Sequence, residues 1–199
     1  MTTQTIQTLR SGQSIAEILE HSEASDDAMA LLKPDRTARA YFETLVKRKL
    51  YGDAIRFLAH VLPAREAVWW AWSCARDAAG DEPPARVMTS LDTTKRWILE
   101  PSDENRRAAF AAGELLEFNG PAGIVALGVF LCGDTLCPPD APQAPAGPHA
   151  AAKALAGSIC MAAAIKPAGV NDRFLAFIAR GLERADKGKV WEPDASAEN

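Results

Sequence analysis

Positive charge is in short supply: 22 Lys and Arg stand against 26 Asp and Glu, leaving a net charge of −4. Neutralising phosphates needs a basic field, so the balance argues against a nucleic-acid partner. The one compact basic run, Lys47-Arg48-Lys49 with Arg56 nearby, reads either as a local anion patch or as a solvated helix end where cations suit the dipole. Long apolar runs are missing too. The longest, PAGIVALGVFLC from Pro121 to Cys132, is about half a membrane span, so membrane insertion is not expected. The opening MTTQTIQTLRSG lacks the apolar core of a signal peptide, and the expectation is a soluble, cytoplasmic protein. Cysteine is sparse, at four residues. Cys74, Cys132, Cys137 and Cys160 fit a reducing compartment, where cysteine is usually a small core residue.

Catalytic signatures are equally scarce. The chain has three histidines, His21, His60 and His149. They fall on different predicted elements, and none sits in H-E-x-x-H or beside an acid at ligand spacing, so each reads as a surface or helix-end residue. There is no G-x-S-x-G, no phosphate loop and no dinucleotide fingerprint; Gly181 and Gly188-Lys189 lack Walker spacing, and no strand precedes them. Cys132 and Cys137, with His149 further on and Asp134, Asp140 or Cys160 as a fourth ligand, form the one metal-like constellation. A spacing of four amid prolines matches structural zinc poorly, and neither a metal nor another cofactor is expected. Glu66, Glu114 and Glu117 are imaginable acids or bases, but solvated helix surface accounts for them more simply.

What is present is helical periodicity. The 48% hydrophobic and 24% charged residues in 199 are ordinary globular values, enough for one core without disulfides or metal. Ser14-Ile15-Ala16-Glu17 is a capping box opening a short helix to about His21. A further turn or two spans Ala28 to Leu32, before Pro34. From Arg36, Ala38, Tyr41, Phe42, Leu45 and Val46 recur at helical spacing until Gly52 and Asp53, read as a stop and a new N-cap. Further helices are predicted from there to Leu62, from Pro63 to Gly80, from Pro83-Pro84 to Pro101, and from Ser102 to Gly120 with Leu115 and Phe118 on the apolar stripe. Residues 122–131 are apolar on every side, the mark of a helix buried in the middle of a fold. Residues 132–148 carry five prolines between 138 and 148, which forbid regular structure and make an exposed, partly extended connection. Helices from His149 to Ile165 and from an Asn171 cap onward complete the chain.

No segment alternates with a strand's period. The expected fold class is all-α: a multi-helical bundle of antiparallel hairpins, about eight helices, with a short α-solenoid-like stack as second choice because no motif recurs at fixed period. Residues 13–190 form a single domain in this reading, between a flexible N-terminus at 1–12 and a polar tail at 191–199 in which Trp191 is positioned to dock.

One stretch stands out. LPAREAVWWAWSCAR, residues 62–76, places Trp69, Trp70 and Trp72 between two arginines. On a helix, Trp70, Ala71, Cys74, Ala75 and Ala78 fall within roughly 80° of Ala67, a smooth stripe with one large knob. Trp72, at about 140°, flanks that stripe, with Arg76 one turn on to stack over it. Trp69, at about 200°, lies among Arg65, Ser73 and Arg76 on the face that ought to be wet. Two readings stay open: a second helix layer makes Trp69 ordinary core, or Trp69 with Arg65 and Arg76 forms an exposed patch of hot-spot composition. Arg65, Trp69, Trp72 and Arg76 are therefore the candidate partner-binding residues.

L-P-x-R-E-A-V-W-W-A, preceded by D-A-I-R-F-L-A-H at residues 53–60 and followed by A-A-A-K-A-L-A-G at 150–157, resembles an uncharacterised bacterial domain-of-unknown-function family, over about residues 13 to 191. Its members accompany type VI secretion and effector genes. The resemblance supplies no catalytic residue. It implies a protein partner, a secretion component or an effector. The expectation is a non-catalytic interaction module, an adaptor, chaperone or accessory protein; the alternatives are an enzyme whose polar residues converge only in three dimensions, or an immunity protein binding a toxin.

Overall fold

Capping chemistry decides where several helices begin. Ser14 Oγ accepts from the Glu17 amide at 3.3 Å and the Glu17 carboxylate accepts from the Ser14 amide at 2.7 Å, closing the capping box. Thr37 and Ser102 cap likewise, accepting from the amides of Ala40 and Asn105. Pro63 and Pro84, both at φ −54°, each precede a first helical residue, where a missing N–H forfeits no helical bond. The computed structural model describes residues 14–33, 36–138 and 141–191. The expected flexible stretch at 1–12, the stop at Pro34 and the tail beyond Trp191 lie outside the described residues. Within them are ten helices and no strand: α1 (Ile15–His21), α2 (Asp26–Met29), α3 (Ala38–Lys47), α4 (Tyr51–Val61), α5 (Ala64–Ala79), α6 (Ala85–Leu99), α7 (Asp103–Glu114), α8 (Gly120–Phe130), α9 (Ala150–Ala164) and α10 (Val170–Lys187). The chain is all-α.

Several boundaries differ from the sequence reading, each for a local reason. Gly52 and Asp53 do not separate two helices: α4 already runs through both, and the break falls at Lys49, which takes φ +61°. The Asp53 carboxylate accepts instead from the Ser25 amide at 2.9 Å and its hydroxyl at 3.0 Å. Ser25 in turn caps α2, which ends at Met29 rather than Leu32. Lys47, Arg48 and Lys49 are exposed at the end of α3, and Arg56 is drawn to Asp53 at 3.6 Å, so the basic run is a solvated helix end. Helix α7 stops at Glu114, because Glu117 and Phe118 enter the left-handed region at φ +52° and +51°. Leu115, expected on its apolar stripe, is consequently 60% exposed. Helix α10 starts at Val170 behind a left-handed Gly169, leaving Asn171 inside the first turn.

Helix α8 is the all-round apolar helix expected, and it packs against α5, α6, α7 and α9. Helix α9 touches α4, α5, α8 and α10, while α1 and α3 lie on α4. A linear stack would confine each unit to its neighbours; here α5, α8 and α9 form a shared centre, and one apolar cluster takes side chains from all ten helices. Full burial of a large side chain contributes roughly 1.5–3 kcal/mol, against about 0–1 kcal/mol for an exposed ion pair, so this cluster dominates stability. At Gly128 the α8–α9 approach is close: a Cβ would lie 2.6 Å from Leu155 Cδ2.

Among its described residues the proline-rich connection is without helix but not loose. Arg106 on α7 is 4% exposed and lies over the Phe130 ring at 4.7 Å. It donates to the carbonyls of Phe130 and Thr135 at 2.7 and 3.0 Å and is paired with Asp103 at 2.5 Å. Arg107 donates to the Cys137 carbonyl at 2.6 Å. Within the loop the Leu136 amide donates to the Ala144 carbonyl at 2.8 Å. Two arginines of one helix thus hold a segment that cannot pair with itself regularly.

Candidate interaction surface

The three tryptophans of α5 leave it in three directions. Trp70 is wholly buried, and its Nε1–H donates to the Phe177 carbonyl of α10 at 2.7 Å. Its ring presses on Gly181, where a Cβ would come 2.5 Å from Cε2; the role of that glycine is to let α10 seat on the indole. Trp72 is half-buried against α6, donating from Nε1 to the Leu91 carbonyl at 2.9 Å. Its cation is Lys95, 5.9 Å from the ring centroid. The expected stacking of Arg76 on Trp72 is not formed, because Arg76 Nη1 donates to the Gly80 carbonyl at 2.7 Å and closes its own helix end.

Trp69 falls between the two open readings. A second layer does arrive, as α10, yet what covers the half-buried ring is a cation: the Arg184 guanidinium sits 3.4 Å from the centroid. Glu66, one helical turn before Trp70, holds Arg184 at 3.3 Å, and those two side chains are 36% and 30% exposed. Arg180, one turn earlier on α10, pairs with Asp77 at 2.6 Å. Arg65 is not beside the ring as a free cation. Its Nε donates to the Ile98 carbonyl at 2.6 Å and Nη2 to that of Leu99 at 3.4 Å, capping α6 where Leu99 projects 68% exposed. The patch is therefore Trp69, Arg184 and Glu66, with Arg65 at its border. Nothing in the sequence spacing says that Arg184, 118 positions after Glu66, meets Trp69.

A second constellation was missed. His21, His60 and His149 close α1, close α4 and stand before α9, the helix ends expected of them, but they meet in space. The His21 and His149 rings stack with centroids 4.4 Å apart, and His149 and His60 with centroids 5.4 Å apart. His60, expected at the surface, is buried. Burial holds the pKa of His60 and His149 below the usual imidazole value.

The cysteines are all free. Burial pushes the Cys74 thiol up to about 12 and those of Cys132 and Cys160 to about 11, and Cys132 Sγ donates to the Gly128 carbonyl at 3.2 Å. Among the described residues no three His, Cys, Asp or Glu side chains are placed to hold a metal ion; Asp140 lies outside them. No described helix is long and apolar enough to cross a membrane. Glu114 and Glu117 are exposed.

Residues 41–185 match the model of a family of unknown function, DUF6931. The chain belongs to this family. The matched region starts in α3 and ends in α10, a narrower span than the sequence resemblance covers. It contains the whole tryptophan face with Arg184, as well as His60 and His149, whereas α1 with His21 precedes it. No curated protein and no solved structure matches the chain.

Proposed function

We propose that the chain is a non-catalytic helical interaction module, an adaptor, chaperone or accessory protein of a bacterial secretion or effector system, whose protein partner seats on the Trp69–Arg184 face. The observation that carries this reading is the Arg184 guanidinium lying 3.4 Å over a half-buried Trp69 ring while Glu66 holds it from the side. Tryptophan and arginine dominate interface hot spots because a large ring and a planar cation gain much when water leaves. Here both are held before any partner arrives, the ring by the core behind it and the cation by an acid, so little rotamer freedom remains to be lost. A matching partner presents a carboxylate to Arg184 and an apolar side chain to the free edge of the indole. The secretion context rests on the L-P-x-R-E-A-V-W-W-A resemblance alone.

Tagged protein used as bait in its native host tests the reading. Trp69→Ala with Arg184→Ala should lose the captured partner while circular dichroism and melting stay close to wild type. Arg65→Ala, which removes only the cap on α6, should keep it. Undiminished capture by a folded double variant would refute the proposed face.

A further inference from the structure

His149 is the middle ring of a stack of three, its plane 14° from that of His21 and 29° from that of His60. The backbone reaches this placement at φ +66°, in the left-handed region that few residues with a Cβ adopt. The stack joins the end of α1, the end of α4 and the junction between the proline-rich connection and α9. A second tie runs alongside, from Lys153 Nζ on α9 to Glu23 Oε1 just after α1, at 2.8 Å.

The middle and inner rings are poorly placed to take a charge. His60 Nδ1 lies 2.8 Å from the Arg56 carbonyl, which can only accept, so Nδ1 carries the proton and Nε2 the lone pair of the neutral ring. Nε2 is buried without a hydrogen-bond partner. A proton there becomes a buried donor with no acceptor. The charged groups facing the stack are Glu17 on α1, whose carboxylate is taken up by Ser14, Glu23 beyond α1, Arg56 on α4 and Lys153 on α9. Glu23 is engaged by Lys153, and Arg56 is drawn to Asp53, so little anionic charge is left to greet an imidazolium.

We propose that His21, His60 and His149 form a proton-operated clasp: as neutral rings they close α1 and the end of the proline-rich connection onto α4 and α9, and on protonation they separate and release them. Neutral imidazoles stack as flat, partly apolar plates, whereas two imidazolium rings at such distances repel. The direction follows from linkage. In the open form His60 and His149 titrate near the ordinary imidazole value, and in the closed form they titrate below it. Between those limits the open form binds more protons, so falling pH favours opening, and the closing contribution is complete only above the ordinary value. Release of α1 uncovers Ile15, Ile18 and Leu19, which are buried when the clasp is shut. This inference is independent of the Trp69 face.

Hydrogen exchange of the full chain at about pH 7.5 and about pH 5.5, compared at matched intrinsic exchange, tests the clasp together with an NMR titration of the histidine rings. Peptides over α1 and the start of α9 should lose protection by about tenfold at the lower pH, while those in α5 and α8 hold theirs. His149→Asn keeps a residue type that tolerates the left-handed backbone and should remove most of the pH dependence of protection; His21→Gln alters an exposed position and should reduce it. Ordinary titration of His60 and His149, equal protection at both pH values, protection lost evenly through the chain, or wild-type pH dependence in either variant would each overturn the proposal.

Discussion

The tryptophans of α5 and the histidines at the three helix ends are mirror cases. The tryptophans are crowded in sequence and scattered in space: Trp70 meets the backbone of α10, Trp72 that of α6, and Trp69 a guanidinium at the surface. The histidines are scattered in sequence and crowded in space. Helical geometry explains the first, since neighbouring residues point about 100° apart and adjacent large rings must part company. Only the packing of α1, α4 and α9 explains the second. Crowding in a sequence is therefore a poor guide to a joint site, and dispersal a poor argument against one.

The sharpest way to break the comparison is at its buried end. Trp70→Ala removes a fully buried indole and its hydrogen bond to the Phe177 carbonyl; denaturant unfolding should show a loss of about 3–5 kcal/mol. Gly181→Ala, forcing a methyl against the same ring, should cost about 1–3 kcal/mol, and much less in the Trp70→Ala background if the ring is the obstacle. A cost unchanged by that background would separate the two sites.

Acid should act next, and only on the histidines. Because His60 and His149 titrate below the ordinary imidazole value in the folded chain, stability falls as pH drops through and beneath that value. The melting temperature should decline by roughly 2–4 °C for a chain of this size. His149→Asn should remove most of that decline, whereas Trp72→Phe should leave it intact.

Smaller effects separate the three tryptophans from one another. Trp72→Phe keeps most of the ring and loses one hydrogen bond to the Leu91 carbonyl, a cost of about 0.5–1.5 kcal/mol by thermal unfolding. Arg184→Ala, removing a partly exposed cation from Trp69 and Glu66, should cost less than about 1 kcal/mol. A larger loss there would make Trp69 a structural residue and weaken its role as a binding anchor.

Much of the fold was legible because local rules and packing agree. The capping box at Ser14 and Glu17, the apolar circumference of α8 and the smooth alanine stripe of α5 all read correctly, since each needs only its own segment. Where a distant group intervened, the reading slipped. Asp53 looks like a cap for its own helix but serves Ser25, across 28 positions of chain. Leu115 fits the stripe of α7, yet Glu117 and Phe118 turn left-handed and leave it outside. Arg76 is one turn from Trp72 and suited to stack on it, but it donates instead to the Gly80 carbonyl at its own helix end. Arg65 likewise answers α6. The candidate surface was thus half visible: Trp69 by its angle on the helix, Arg184 not at all.

The amino-acid order alone determined that this chain would be helical, where most of its helices would start, and that α8 would lie at the centre, because caps, prolines and apolar period act within a few residues of one another. Tertiary structure alone decided which cation covers Trp69, that Gly181 would receive Trp70, and that three histidines from separate helix ends would share one stack. Those outcomes depend on the relative placement of whole helices, and that placement comes from a core to which all ten contribute.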